Sequence, residues 1–251
     1  MTKPLPRTGF NSSRLIRLLA DIVADSAAVS NTSIAERLGQ WLGFTDAIAL
    51  SAALNAGVPA ADEGAAAALL QDAALRGVRT DCARVQAALV DAIVAEAAPG
   101  PGRARIKLPS RTAAAGDFTP YRRYYAAHQR EMECALAPLR ARVRAVLRHA
   151  SPLLARLAAL DAVLEQALGG RERDLLAAVP QLLERRFVQL VRGDVGAGNC
   201  SDGAAIFCRD LQAVLLAELE LRLQPLLGLL DAATDQGPDA AVGVSGGIVI
   251  S

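Results

Sequence analysis

Residues 211–230 read LQAVLLAELELRLQPLLGLL, the most apolar stretch of the chain. Such a stretch either crosses a membrane or packs as a bundle helix, and the choice decides the fold. Glu218, Glu220 and Arg222 interrupt it, and charges of this kind are costly in lipid but ordinary on the wet side of a packed helix. Leu216, Leu219, Leu223, Leu226 and Leu230 recur at alternating spacings of three and four around Pro225, which is a heptad seam. A core-facing helix from about Ala204 to Leu230 is therefore expected. No run of about 18 apolar residues in the chain is free of charge. The N-terminal MTKPLPRTGFNSSRLIRLL lacks the apolar centre of a signal peptide, so a cytoplasmic protein with no membrane span is expected.

Composition supports the bundle reading. The chain has 251 residues, 52% of them hydrophobic but 4% aromatic, because alanine and leucine supply the apolar excess. These are helix formers rather than strand formers, and a chain of this length can bury a conventional core. The fold class is all-α: an antiparallel helical bundle with long, proline-kinked helices. A formal net charge of +1 provides no global field to draw the protein onto nucleic acid or an anionic membrane.

Other helices follow from caps and stripes. Asn11, Ser12 or Ser13 can cap a helix whose Leu15, Leu18, Leu19 and Ile22 share a face. Ser33 and Glu36 form a capping box before a stripe of Ile34, Leu38, Trp41 and Leu42, after which Thr45 or Asp46 marks a kink or a break. Residues 57–68 suggest a loop and a weak alanine helix, and residues 80–98 a helix with Val85, Leu89, Ile93 and Cys82 inward. Thr119 with Pro120 and Ser151 with Pro152 are cap and first-turn pairs. Pro138 should kink its helix or restart it, and Leu153, Leu157, Leu160 and Leu164 form a seam expected to end at Gly169 and Gly170. The next helix, interrupted at Pro180, puts Leu176, Val179, Leu183, Phe187 and Leu190 on one side. The chain thus divides into an N-terminal helical region (1–98), a Pro/Gly/Arg-rich linker (99–117), a C-terminal helical bundle (118–231) and a glycine-rich tail (232–251) expected to be flexible.

FTPYRRYYAAHQREME, residues 118–133, contains all 3 tyrosines. In a helix, Phe118, Tyr121, Tyr125 and His128 stack at spacings of three and four, Tyr124 extends that face, and Arg122 and Arg123 point outward. Three readings are open: bulk for the core with hydroxyls at its rim, a surface for a protein partner, or a stacking platform for single-stranded nucleic acid. The last gains from Arg130, Arg140, Arg142, Arg144 and Arg148, and from Arg103, Arg105, Lys107 and Arg111 in the linker. Core packing fits the spacing best, and acidic helices such as 204–222 can pair with the arginines. The candidate partner-binding residues are Trp41, Phe44, Tyr121, Tyr124, Tyr125, Arg122 and Arg123.

Motifs for chemistry are weak. GDVGAGNCSDG (193–203) lacks the lysine and the preceding strand of a phosphate loop and reads as a capped loop before a helix. GVSGG (243–247) satisfies a nucleophile-elbow pattern, but only four residues follow it and no histidine does. Cys200 and Cys208 have no second pair, Cys82 and Cys134 sit in helical sequence, and His128 and His149 lack partners at metal spacing. No catalytic residue, cofactor or metal is expected.

RTGFNSSRLIRLLAD (7–21), AERLGQWLGFTDAIALSAALN (35–55), the 118–133 stretch, ALAPLRARVRAVL (135–147) and ALDAVLEQALGGRERDLLAAVPQLLERRF (159–187) together resemble an uncharacterised bacterial family, a domain of unknown function of about this length. The resemblance spans all but the 57–80 and 99–117 connections and the tail, and carries over no catalytic residues. It implies a cytoplasmic accessory to an envelope assembly, peripherally associated, since such genes lie near those for envelope proteins with OmpA-like domains. The function expected is a non-catalytic interaction or scaffold protein with a protein partner or a second copy; nucleic-acid binding through 118–149 is the alternative.

Overall fold

The computed structural model describes residues 13–22, 41–55, 65–94, 109, 117–193 and 200–235. Among the described residues the regular elements are all helices: α1 (Arg14–Ile22), α2 (Phe44–Asn55), α3 (Ala65–Val94), α4 (Thr119–Leu147), α5 (Pro152–Ala177), α6 (Val179–Gly193) and α7 (Cys200–Asp235). None is long and apolar enough to cross a membrane.

The 211–230 stretch lies within α7, the 36-residue helix against which α1, α3, α4, α5 and α6 pack, while α2 packs on α5. Leu219, Leu223, Leu226 and Leu230 are buried as the seam predicts, whereas Leu216 is half-buried and Leu211, Val214 and Leu215 carry the line before it. Two apolar clusters lie along α7. One gathers Leu15 and Ile22 of α1, Leu89 and Ile93 of α3, the aromatic end of α4, and Leu176, Val179, Leu183 and Phe187. The other joins Val78 and Cys82 of α3 to Val143, Leu147, Leu154, Ala158 and Leu229. Residues from both sides of the 99–117 segment enter both clusters.

Side-chain pairs fix the direction of the helices. Arg79 of α3 donates to the Leu230 carbonyl at 3.1 Å and Gln212 of α7 donates to the Ile93 carbonyl at 3.2 Å, so α3 and α7 run in opposite senses. Tyr121 meets Phe207 and Tyr125 meets Glu218, so α4 and α7 run in the same sense.

Several helix boundaries differ from those expected. The chain breaks before α2 rather than kinking: the Gly43 carbonyl accepts the Ala47 N–H at 3.0 Å, and Asp46 Oδ2 accepts the Gly43 N–H at 2.9 Å. Residues 65–94 form one continuous helix through Gly77. At the start of α4 the cap is Phe118, not Thr119, and Asp117 Oδ1 accepts the Thr119 N–H at 2.8 Å, which holds the Asp117 carboxyl below its ordinary range. Ser151 does cap α5, with an extended backbone and its Oγ accepting the Leu154 N–H at 3.2 Å.

Gly169 and Gly170 do not end α5, which continues to Ala177; the break falls at Ala178, so Pro180 sits in the first turn of α6, where its missing N–H is tolerated. α4 and α7 pass through Pro138 and Pro225 without ending. Both prolines are exposed, so the hydrogen bond each removes lies on the watered side of its helix. The first residues assigned to the flexible tail, 232–235, instead continue α7, with Ala233 buried, because the helix still packs on its neighbours there; the capping box at 33–36, the linker cations, the 194–199 loop residues, the GVSGG string and residues 236–251 lie outside the described residues.

Candidate functional site

The tyrosines are core. Phe118, Tyr121, Phe187 and Phe207, from three helices, form an aromatic nest with ring centroids 5.1 to 6.1 Å apart, several of them edge-on. Tyr124 meets the His128 ring edge-on at 4.5 Å, and burial pushes its hydroxyl up to about 12. Of the predicted partner-binding set on α4, the outward residues are Arg122 and Arg123; Arg122 lies over the Phe118 ring at 5.7 Å and donates to Glu184. The periodicity correctly placed the rings on one face, while Phe187 and Phe207, distant in sequence, gave no signal that they would join it.

Two carboxylates go inside, and one of them was expected in water. Glu218, read as a wet-face residue, is fully buried. It accepts the Tyr125 hydroxyl, Gln129 Nε2 at 3.1 Å and Arg222 Nε at 2.9 Å, and Gln129 also reaches the Leu176 carbonyl at 3.2 Å. A buried carboxylate survives only when donors replace its water, and these three do so. Burial, then the neighbouring Glu218 charge, holds the Tyr125 hydroxyl far above its ordinary value, so it remains a donor.

On α5 the buried line is Leu154, Ala158 and Asp161, one register over from the predicted seam, and Leu153 is exposed. Asp161 accepts Arg140 Nε at 2.9 Å and Arg144 Nη1 at 3.1 Å, and both arginines also pair with Glu165. Burial alone would lower Arg140, but Asp161 and Glu165 outweigh it and raise it. Arg142 turns to Asp81 of α3, whose carboxyl it holds low together with Arg84. The basic run of α4 is thus matched mainly by acids of α3 and α5, rather than by α7 as predicted.

His128 is buried with Nε2 unpartnered, and burial drives it down to about 4. Cys82 and Cys208 are buried and Cys134 is exposed. Among the described residues no group of His, Cys, Asp and Glu is arranged to hold a metal ion.

Two features among the described residues are open to solvent. A cleft of about 440 Å³ lies between α4, α5 and α7, walled by Met132, Leu136, Arg140, Glu165, Glu172 and Arg222, with Gly169 and Gly170 also at its edge. The second is α2, which is mostly apolar, has no buried residue and carries a single charge, Asp46, already used at its own N-terminus, while Asn55 donates to Ser51 on its surface. Phe44 is 82% exposed, with Ile48 and Leu54 about half exposed beside it, while Trp41 just before the helix is partly buried. α2 packs on α5, where Arg156 donates to the Leu54 carbonyl. Of the sequence-predicted surface residues, Phe44 is the one most fully presented.

Comparisons with curated proteins and with solved structures found no match. A model of a protein family of unknown function, DUF3348, matches residues 1–235, and the chain belongs to that family.

Proposed function

We propose that this chain is a non-catalytic interaction protein that buries the outer face of α2 against another polypeptide, a second copy being the occupant the face itself supplies. One observation carries the reading: a surface helix of 12 residues, mostly apolar and with one charge, buries none of them, and Phe44 and Ile48 stand one turn apart in water. A helix of so apolar a composition is normally covered, and among the described residues it is α5 that packs on it. Two copies of such a face can meet about a twofold axis because each presents the same patch. Light scattering behind a sizing column tests this. The full chain should run as a dimer, and Phe44→Asp with Ile48→Asp should run as a monomer with unchanged helicity. A wild-type chain that stays monomeric at high micromolar concentration would remove the proposal.

A further inference from the structure

We propose that the cleft between α4, α5 and α7 is a binding site for a small zwitterion, a free amino acid with an apolar side chain. Its wall is built in two layers. Glu218, fully buried behind it, accepts Arg222 Nε and Nη2 at 2.9 Å each and is itself held by Tyr125 and Gln129. This fixes a guanidinium whose side chain is 12% exposed and, among the described residues, leaves Nη1 for a ligand carboxylate.

The opposite sign is also present. Glu165 is shared between Arg140 and Arg144, and Glu172 makes no ion pair within 4.0 Å among the described residues, though its charge also acts on Arg140. A ligand carrying one positive and one negative group suits this mixed lining better than a simple anion, which the carboxylates would repel. Met132, Leu136 and Leu226 supply an apolar wall for the remainder, and the volume is at the lower end of small-molecule sites.

The adjacent glycines are a separate indication that the space is used. Gly169 and Gly170 lie inside a helix, where glycine is unfavourable, yet a Cβ at either would meet nothing within 4 Å. Packing does not require them, and both border the cleft.

Titration calorimetry of the full-length protein with individual free L-amino acids, a dicarboxylate (succinate) and a diamine (putrescine) tests this, with ligand up to about 10 mM to reach weak affinities. Saturable heat is expected from one or more apolar amino acids and none from succinate or putrescine. Gly170→Leu should abolish that heat without lowering the melting temperature, since it fills the cleft and improves the helix. Glu172→Gln should weaken binding by about tenfold. Absence of saturable binding by every amino acid, binding of succinate or putrescine instead, or amino-acid binding unchanged in Gly170→Leu would each overturn the proposal.

Discussion

Tyr125→Phe isolates one bond to a buried charge. The substitution removes an oxygen from a ring with no solvent exposure and leaves its packing intact, so nearly all of its effect comes from the lost donor to Glu218. A hydrogen bond to a charged group is worth about 1.5–3 kcal/mol, and the Glu218 carboxylate, also fully buried, has no access to replacement water. A loss of about 2 kcal/mol is expected, which for a chain of this size lowers the melting temperature by about 4–8 °C. Glu218→Leu should lose more, about 3–5 kcal/mol, because it leaves the Arg222 guanidinium and the Tyr125 hydroxyl inside without an acceptor. In the Glu218→Leu background, Tyr125→Phe should be nearly neutral, since the hydroxyl no longer has a carboxylate to serve; the coupling should reach about 1–3 kcal/mol. Urea unfolding followed by far-ultraviolet circular dichroism gives all four corners of this cycle. Equal losses from Tyr125→Phe in both backgrounds would show that the hydroxyl acts independently of Glu218 and would refute the reasoning.

His128 titrates at about 4 in the folded protein and near 6.5 when exposed, so between these values the unfolded chain binds more protons. Its contribution is complete above about pH 6.5 and falls as pH drops toward 4, by at most about 3 kcal/mol. Glu131, 3.7 Å from Nδ1, favours the protonated form and works against that loss. His128→Phe should flatten this limb of a urea-midpoint profile, and an unchanged profile would place the acid sensitivity elsewhere. Gly169→Ala should stabilise by about 0.5–1 kcal/mol, because it improves the helix with nothing near the new methyl; a lower urea midpoint would show a contact at that position.

Periodicity and capping made the skeleton legible. The leucine and aromatic stripes were placed correctly on α1, α3, α4 and α6, as was the Ser151 cap, because they depend on residues within a few positions of one another. The helix breaks were less legible, since proline and glycine mark weak points without saying which will yield. In α5 the chain tolerated two glycines and broke beside Pro180, where Leu176 and Val179 enter the core on either side of the break. Local preference favoured a stop at the glycines, but burial on both sides of Ala178 sets the register of α5 against α6.

The buried carboxylates have a common cause. A heptad seam describes a helix facing one neighbour, and Glu218 lies beside the leucine line of α7, where a single neighbour would leave it wet. But α7 touches α1, α3, α4, α5 and α6, so the arc it buries is wider than its seam, and the flanking positions go inside with it. A carboxylate carried inward must find donors on whatever helix arrives opposite, and those donors, Tyr125 and Gln129, lie 93 and 89 residues away. Asp161 repeats the logic on α5, facing Arg140 and Arg144 across the turn between α4 and α5. α2 is the converse: its composition is that of a buried helix, yet it buries no residue, because α5 is its main neighbour. Burial among the described residues follows the number of neighbouring helices more closely than composition, and so Phe44 and Ile48 stay exposed on a helix whose composition would suit a core.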